Sequence, residues 1–445
     1  MGFRRFIRQA ADVKPSRRQL EWFDTEFYAF VHFTVNQYTN REWGLGNEDE
    51  AIFNPVDLDP DQWCDALLSA GMKGLILTAK HHDGFCLWPS KYTEHCVKNS
   101  PCKVDVVKEV SDACRRHGLK FGVYLSPWDR NSKYYGTPAY NDYFCNQLEE
   151  LLTGYGDLFC VWFDNACGEG PNGIKQEYDF PRYIELIRRL QPNAVIFNDY
   201  GPDTRWVGNE AGVTRHAEWA VVPSELCKWS EVQTQAGPFE GRLSYMYNPD
   251  PDIGSLQNII YSKGLVFCPA ETNMSIRPGW FYHPNEEPHS LDRLFKTYLA
   301  SVGGNSCFNL NIPPMPNGRF DERDVARLKE LGDKIRSTFA NDIAGDAVIT
   351  RRTFSDTQED IILTWDKPVT INSVVIKEDI SKGQRVENFQ LRQRGDDVRV
   401  NVIYNGTTIG HKKICMLDKP CQTDQLTLNI TSSRAEPCIL PIEVY

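Results

Sequence analysis

The chain predicts an α/β architecture: a (β/α)8-like barrel, irregular in its second half, followed by a C-terminal all-β sandwich. Three observations carry that expectation. Strand-like apolar runs alternate with helix-like segments over about three quarters of the 445 residues, the pattern of a parallel sheet covered by helices. The strand count comes close to eight. Beyond about residue 340, helical periodicity gives way to short β runs separated by turns. The expected division is a barrel over 1–340 and a sandwich over 341–445.

The elements follow in order. Phe27-Tyr-Ala-Phe-Val-His-Phe-Thr34 reads as a first strand. Pro60 to Gly71 reads as a helix, with Asp59 as N-cap, Pro60 in its first turn and Gly71 as its stop. Gly74 to Lys80 is the next strand. Val106, Val107, Val110, Ala113 and Cys114 have helical spacing, and Gly118 ends that helix. Leu119 to Leu125 is a third strand; Tyr140, Phe144, Leu148 and Leu151 mark another helix. Leu158 to Phe163 is an apolar run that stops abruptly at Asp164, before small and turn-forming residues. Phe180 to Leu190 is helical and ends at Gln191-Pro192. Ala194–Asn198, Gly264–Cys268 and Ser306–Asn311 read as later strands, with a helix from His289 to Val302. The sixth strand has no clear signal, and 211–262 reads as loop-rich. A charged helix, Glu322 to Phe339, closes this part. The sandwich runs are 348–354, 360–365, 372–377, 389–392, 398–404 and 425–430.

Composition narrows the function. A formal charge of −11 argues against nucleic acid and anionic membranes as partners. No run approaches the length of a membrane span. The N-terminus is basic but has neither an apolar segment nor a cleavage site. A cytoplasmic location is expected, or a secreted or periplasmic one if a leader was trimmed. The fourteen cysteines include no Cys-x-x-Cys pair, so zinc spacing is absent. Several, such as Cys160 and Cys268, lie in apolar runs where a thiol behaves as a small hydrophobe. Reduced thiols are expected rather than a disulfide framework.

Strand ends position the polar residues, because a parallel barrel carries its chemistry at the C-terminal rim. His32 ends the first strand. Lys80-His81-His82-Asp83 follows the second, Trp128 and Asp129 the third. Asp164 ends the fourth, and Glu210 follows the fifth after a loop. Two carboxylates with several His and Trp at one rim suit glycoside hydrolysis. One carboxylate attacks or stabilises the anomeric carbon; a second, protonated, assists the leaving oxygen. The residues alone leave the acid open among Glu210, Glu169 and Glu177. They also leave Asp164 open as a turn cap, His32 as a satisfied core histidine and Glu210 as a solvated loop acid. On an extended segment His81 and His82 would face opposite ways, which argues against a shared metal ion. Neither metal nor cofactor is expected.

Four segments then carry a resemblance. Trp162-Phe-Asp-Asn-Ala-Cys-Gly-Glu-Gly-Pro-Asn-Gly173, Ala79-Lys-His-His-Asp-Gly-Phe-Cys-Leu-Trp-Pro-Ser90, Arg41-Glu-Trp-Gly44 and Ser275-Ile-Arg-Pro-Gly-Trp-Phe-Tyr-His283 resemble glycoside hydrolase family 29, the α-L-fucosidases, over about residues 20–340. Trp206-Val-Gly-Asn-Glu210 and Arg277-Pro-Gly-Trp-Phe-Tyr282 resemble the subgroup favouring α-1,3/1,4-linked fucose on branched glycans. The C-terminal region is similar to the carbohydrate-binding-like β-sandwich often appended there. The resemblance implies a retaining double displacement that removes terminal fucose from Lewis-type glycans, with Asp164 as nucleophile and Glu210 as general acid/base. It places His32, Glu42, Trp43, His81, His82 and Trp280 around the fucose and Trp206 near the neighbouring galactose. Trp128 and Trp162 at the same rim, and Arg277 before Trp280, are expected to bind substrate as well. The partner is then a fucosylated oligosaccharide or glycoconjugate.

This sequence departs from the family pattern twice. Asn165 stands where a Gly commonly follows the nucleophile, and Ala270-Glu-Thr-Asn-Met-Ser275 replaces Ala-Glu-Cys-Asp-Val-Ser. Neither removes a catalytic group, so both bear on substrate range. The alternatives are a broad-specificity enzyme that also accepts α-1,2 links and aryl fucosides, and a non-catalytic fucose-binding protein.

Overall fold

A computed structural model describes residues 2–227, 252–394 and 400–445. In chain order its first strands are β1 (Phe27–Val31), β2 (Gly74–Lys80), β3 (Lys120–Leu125), β4 (Cys160–Trp162), β5 (Val195–Phe197), β6 (Arg205–Trp206), β7 (Val221–Pro223), β8 (Leu265–Phe267), β9 (Ala270–Ser275) and β10 (Cys307–Asn311). Eight of them form a parallel sheet in the order β5-β4-β3-β2-β1-β10-β9-β6. A parallel bridge between Phe197 and Thr204 brings the two ends of that sheet together, closing a (β/α)8-like barrel. The helices start and stop where the caps require. Asp59 accepts from Gln62 N and Gly71 takes a left-handed φ of 85° around Pro60–Ala70. Asp105 and Gly118 do the same for Val106–His117.

Alternate residues of each strand serve two layers. Phe27, Ala29, Val31, Leu75, Leu77, Val123 and Val161 pack outward among the helices. Tyr28, Phe30, Ile76, Tyr124, Cys160, Trp162 and Phe197 fill the barrel interior. That alternation fixes which residues past each strand face the barrel mouth.

One expectation is corrected. The run Gly264–Cys268 does hold a strand, β8, but it pairs antiparallel with β7 outside the barrel. The barrel strand is the next one, the polar β9. The sixth strand is the two-residue β6, too short to leave a pattern. Of the unassigned region 211–262, residues 228–251 lie outside the described residues.

The C-terminal strands are β11 (Val348–Ser355), β12 (Gln358–Ile376), β13 (Val386–Arg394), β14 (Val400–Gly406), β15 (Lys413–Ser433) and β16 (Glu443–Val444). They form an antiparallel β-sandwich in the order β11-β12-β15-β13-β14, with β16 on β12. Register shifts between Thr364 and Val369 and between Ile371 and Ser373 bend the long β12–β15 pair. Two predicted runs, 360–365 and 372–377, are therefore one bent strand. Of the run 398–404, Val398 and Arg399 lie outside the described residues. Leu363, Val374, Phe389, Leu391 and Leu428 form the sandwich core. Among the described residues no helix is long and apolar enough to cross a membrane.

Candidate active site

Strand alternation aims the site residues. Tyr28 and Phe30 point into the barrel, so His32, two positions on, reaches its mouth. Cys160 and Trp162 point inward and Asp164 follows them. Val195 and Phe197 do likewise and are followed by Asp199. These side chains meet in a cavity of about 170 Å³ that also takes in Glu42, Trp43, His81, His82, Tyr124, Trp162, Trp206, Glu210, Asn273 and Trp280. Drug-sized pockets run to roughly 300–1,000 Å³, so this is the scale of a single sugar ring.

Asp164 is braced on both oxygens. The Tyr124 hydroxyl donates to Oδ2 at 3.1 Å, and the Ala166 amide donates to Oδ1 at 2.7 Å. His82 Nε2 stands 3.8 Å from Oδ2. Glu210 shares the cavity. Burial raises its pKa above the ordinary carboxylate range; a hydrogen bond from Trp280 opposes the rise, and the charges of Asp164 and Glu42 add to it. Glu169 and Glu177, the other candidates for an acid, do not line the cavity; Glu210, itself solvent-exposed at the mouth, does.

Asp199 was not anticipated. It is a fourth carboxyl of the cavity, beside Glu42, Asp164 and Glu210, and its pKa is raised well above the usual range by burial first and then by Asp164 and Glu210, against a hydrogen bond from Asn165. The alternation of β5, with Val195 and Phe197 inward, reaches Asp199 when carried two residues past the strand's end. Asn165, at the first departure from the family pattern, is thus tied to this carboxyl.

The histidines are neutral acceptors or donors rather than charges. Burial lowers His32 to about 4. Its Nδ1 lies 2.8 Å from Asn311 Oδ1, while Asn311 Nδ2 donates to Ser275 Oγ and Trp280 O. That fixes the amide, so Nδ1 carries the proton and Nε2 is left to accept. Burial also lowers His81 and His82. Both line the cavity, contrary to the expectation that they diverge. β2 ends at Lys80, and a turn from His81 to Gly84 replaces the extended backbone on which that argument rested. Among the described residues no group of three or more His, Cys, Asp or Glu is arranged to hold a metal ion.

The walls are aromatic. Trp162 stacks on Phe197 at 4.2 Å and donates Nε1 to Glu271 Oε1 at 2.8 Å, beneath the cavity. Burial pushes Glu271 up to about 7, against donors on Tyr28, Trp162, Asn309 and Asn273. Trp206 Nε1 donates to Asn273 Oδ1 at 2.6 Å, so the second departure from the family pattern sits in the wall. Trp43, 57% exposed, stands at the rim edge-on to His82 and Trp128. Glu42 accepts from Trp280 N at 2.8 Å and Phe281 N at 3.2 Å. A Cβ at Gly279 would lie 2.6 Å from Glu42 Oε1, so glycine is what admits the carboxylate there.

Two expected substrate contacts lie elsewhere. Arg277 is fully buried and does not line the cavity. Its Nε bonds both oxygens of Asp324, at 3.0 and 2.8 Å, in the last barrel helix. That buried acid draws the guanidinium inward, where it anchors the loop that carries Trp280. Trp128 is buried behind the wall, donating Nε1 to Glu169 O at 3.0 Å and backing Trp43 and His82.

A barrel with acids, neutral histidines and tryptophans converging on a monosaccharide-sized cavity at its C-terminal rim defines a glycoside hydrolase. The sequence profile described as Alpha-L-fucosidase matches residues 9–337. The chain belongs to that family, glycoside hydrolase family 29. It is 35% identical to Alpha-L-fucosidase 1 of Arabidopsis thaliana over 97% of this chain and 87% of that one. Among solved structures, a glycoside hydrolase 29 family member from an unknown rumen bacterium is 41% identical, with a TM-score of 0.85 over 98% of this chain and 77% of that one. A Ruminococcus gnavus GH29 fucosidase in complex with fucose is 27% identical, with a TM-score of 0.84 over 98% and 95%.

Proposed function

We propose that this α-L-fucosidase is a retaining exo-enzyme that removes α-1,3/1,4-linked fucose from Lewis-type glycans. The observation that carries the reading is that Asp164 and Glu210 line one small cavity, Glu210 with its proton affinity raised. In the first step the Asp164 carboxylate bonds to the anomeric carbon as the glycosidic C–O bond breaks. The leaving oxygen takes the proton of Glu210. In the second step Glu210, now a carboxylate, takes a proton from water. The water oxygen bonds to the anomeric carbon and the bond to Asp164 breaks, restoring both groups. Tyr124 and the Ala166 amide hold the nucleophile, and neutral His32 offers Nε2 to a sugar hydroxyl. The linkage reading is supported by Trp206 and Glu210 in the Trp-Val-Gly-Asn-Glu segment, both of which line the cavity.

Two measurements test it. Asp164→Ala should lose several orders of magnitude in rate while staying folded, and azide should restore turnover. Near-wild-type activity refutes the assignment. Linkage-defined fucosylated oligosaccharides, with proton NMR of the first product, should yield α-fucose fastest from Lewis-type trisaccharides. A β-fucose first product removes the retaining mechanism, and equal rates on a 2′-fucosylated substrate remove the linkage preference.

A further inference from the structure

The segment that carries Glu210 is held at both ends of a buried ion triad. Arg215 Nη1 donates to Val207 O at 3.0 Å, pinching the base of the loop 208–214. Inside the loop Asn209 Oδ1 accepts from the amides of Ala211 and Val213, both at 3.1 Å. The Glu218 carboxylate is buried between two arginines. It bonds Arg205, and it accepts from Arg215 N at 3.1 Å. A charge buried this way has a fixed position, because releasing either partner leaves an uncompensated ion.

The other side of the same residue faces the β-sandwich. Gln384 is fully buried and bridges the main chain: its Nε2 donates to Glu218 O at 3.3 Å and its Oε1 accepts from Ala220 N at 2.8 Å. Thr408 Oγ1 donates to Glu218 O at 3.3 Å, and Thr407 Oγ1 donates to His216 O at 2.6 Å. Arg434 lies over the Trp219 ring at 3.4 Å and donates to Gly254 O at 2.6 Å. Loops of the sandwich thus grip 216–220, the stretch that Glu218 ties back to both flanks of the Glu210 loop.

We infer that the β-sandwich is part of the catalytic apparatus: Gln384 and Thr408 are positioning residues that set the placement of Glu210 through Glu218. This rests on the reading of Glu210 as the general acid. A domain that only braced the barrel would bear on its outer helices. This one hydrogen-bonds the main chain eight residues from the acid. A displacement of about 1 Å of a catalytic group can cost up to ~100-fold in rate.

The test separates acid assistance from general damage. An oligosaccharide leaving group needs a proton; an acidic phenol leaves with little help. Gln384→Met keeps the volume and removes both bonds, and Thr408→Val removes one donor without changing shape. For kcat/KM, Gln384→Met should lose about tenfold or more on a fucosylated oligosaccharide and less than about twofold on a 2,4-dinitrophenyl fucoside. Thr408→Val should show the same contrast more weakly. Equal losses on both substrates, or no loss on either, overturn the inference. Glu210→Gln, assayed alongside, should show the contrast most strongly. If it shows none, the acid role of Glu210 falls and this inference with it. If it shows the contrast and the sandwich variants do not, only the inference falls.

Discussion

The Tyr124 hydroxyl donates to Asp164 Oδ2 at 3.1 Å, from a buried ring packed between His81 and Trp162. Burial, and then the charge of Asp164, raises the pKa of that phenol well above its usual value, so it stays a donor throughout the working pH range. Hydrogen bonds to charged groups are worth ~1.5–3 kcal/mol. Tyr124→Phe should therefore lower kcat/KM by roughly 10- to 100-fold, with little change in melting temperature. A loss under twofold in steady-state kinetics would show that the hydroxyl does not steer the nucleophile.

The pH dependence has a defined sign. Glu210 must be protonated to start the reaction, and its raised pKa keeps the acid form to higher pH than an ordinary glutamic acid. The alkaline limb of kcat/KM should lie above the usual carboxylate range. Glu42→Gln removes a charge that favours the protonated form, so the limb should move to lower pH. Trp280→Phe removes the hydrogen bond that favours the ionised form, so it should move to higher pH. Absolute rates will fall in both; the position of the limb is the readout. Movement in the same direction in both variants contradicts this electrostatic account.

Most of the first half of the barrel was readable because each element carried its own punctuation. Asp59, Gly71, Asp105 and Gly118 bound their helices, and the apolar runs of β1 to β5 are buried on both faces. The second half was not, for a physical reason. β9 reads Ala-Glu-Thr-Asn-Met-Ser, with no apolar pattern. Its inward residues Glu271 and Asn273 are satisfied by the tyrosine, tryptophan and asparagine donors of other strands, which no local window contains. Leu265–Phe267 looks more like a core strand and lies outside the barrel. In the site, motif position located the cavity residues, but motif proximity misled for Arg277. Its neighbours in sequence line the cavity, while its charge is drawn to Asp324, 47 residues on.

Asp199 offers a test of charge within the cavity. Three ionised carboxyls together would repel one another, and burial with Asp164 and Glu210 holds Asp199 as the neutral acid. An amide of the same shape should then replace it. Asp199→Asn should retain kcat/KM within about fivefold near pH 6, whereas Asp199→Ala, which loses the polar contact to Asn165 as well, should fall by about tenfold or more. A large loss in Asp199→Asn, measured on the same oligosaccharide, would mean that the negative charge of Asp199 is needed.

Glu26 joins the N-terminal side of the barrel to the sandwich, and its bond should fail in acid. It pairs with Lys412, and His411 Nε2 lies 3.4 Å from Oε1. Burial alone would raise Glu26; the His411 hydrogen bond and the Lys412 charge outweigh it and hold the carboxyl at about 2, below the 4.5 of the unfolded chain. A lowered folded-state pKa gives stability that is complete above the unfolded value and lost as pH falls toward the folded one. At ~1.36 kcal/mol per unit the linkage is worth up to about 3 kcal/mol. Glu26→Gln should therefore cost about 1–3 kcal/mol in urea unfolding at pH 7. The difference from the native protein should be near its full size at pH 6, about half by pH 3.5, and small near pH 2. A difference between the two proteins that stays constant from pH 6 to pH 3.5 would show that Glu26 contributes through packing alone and that its charge does no work at this joint.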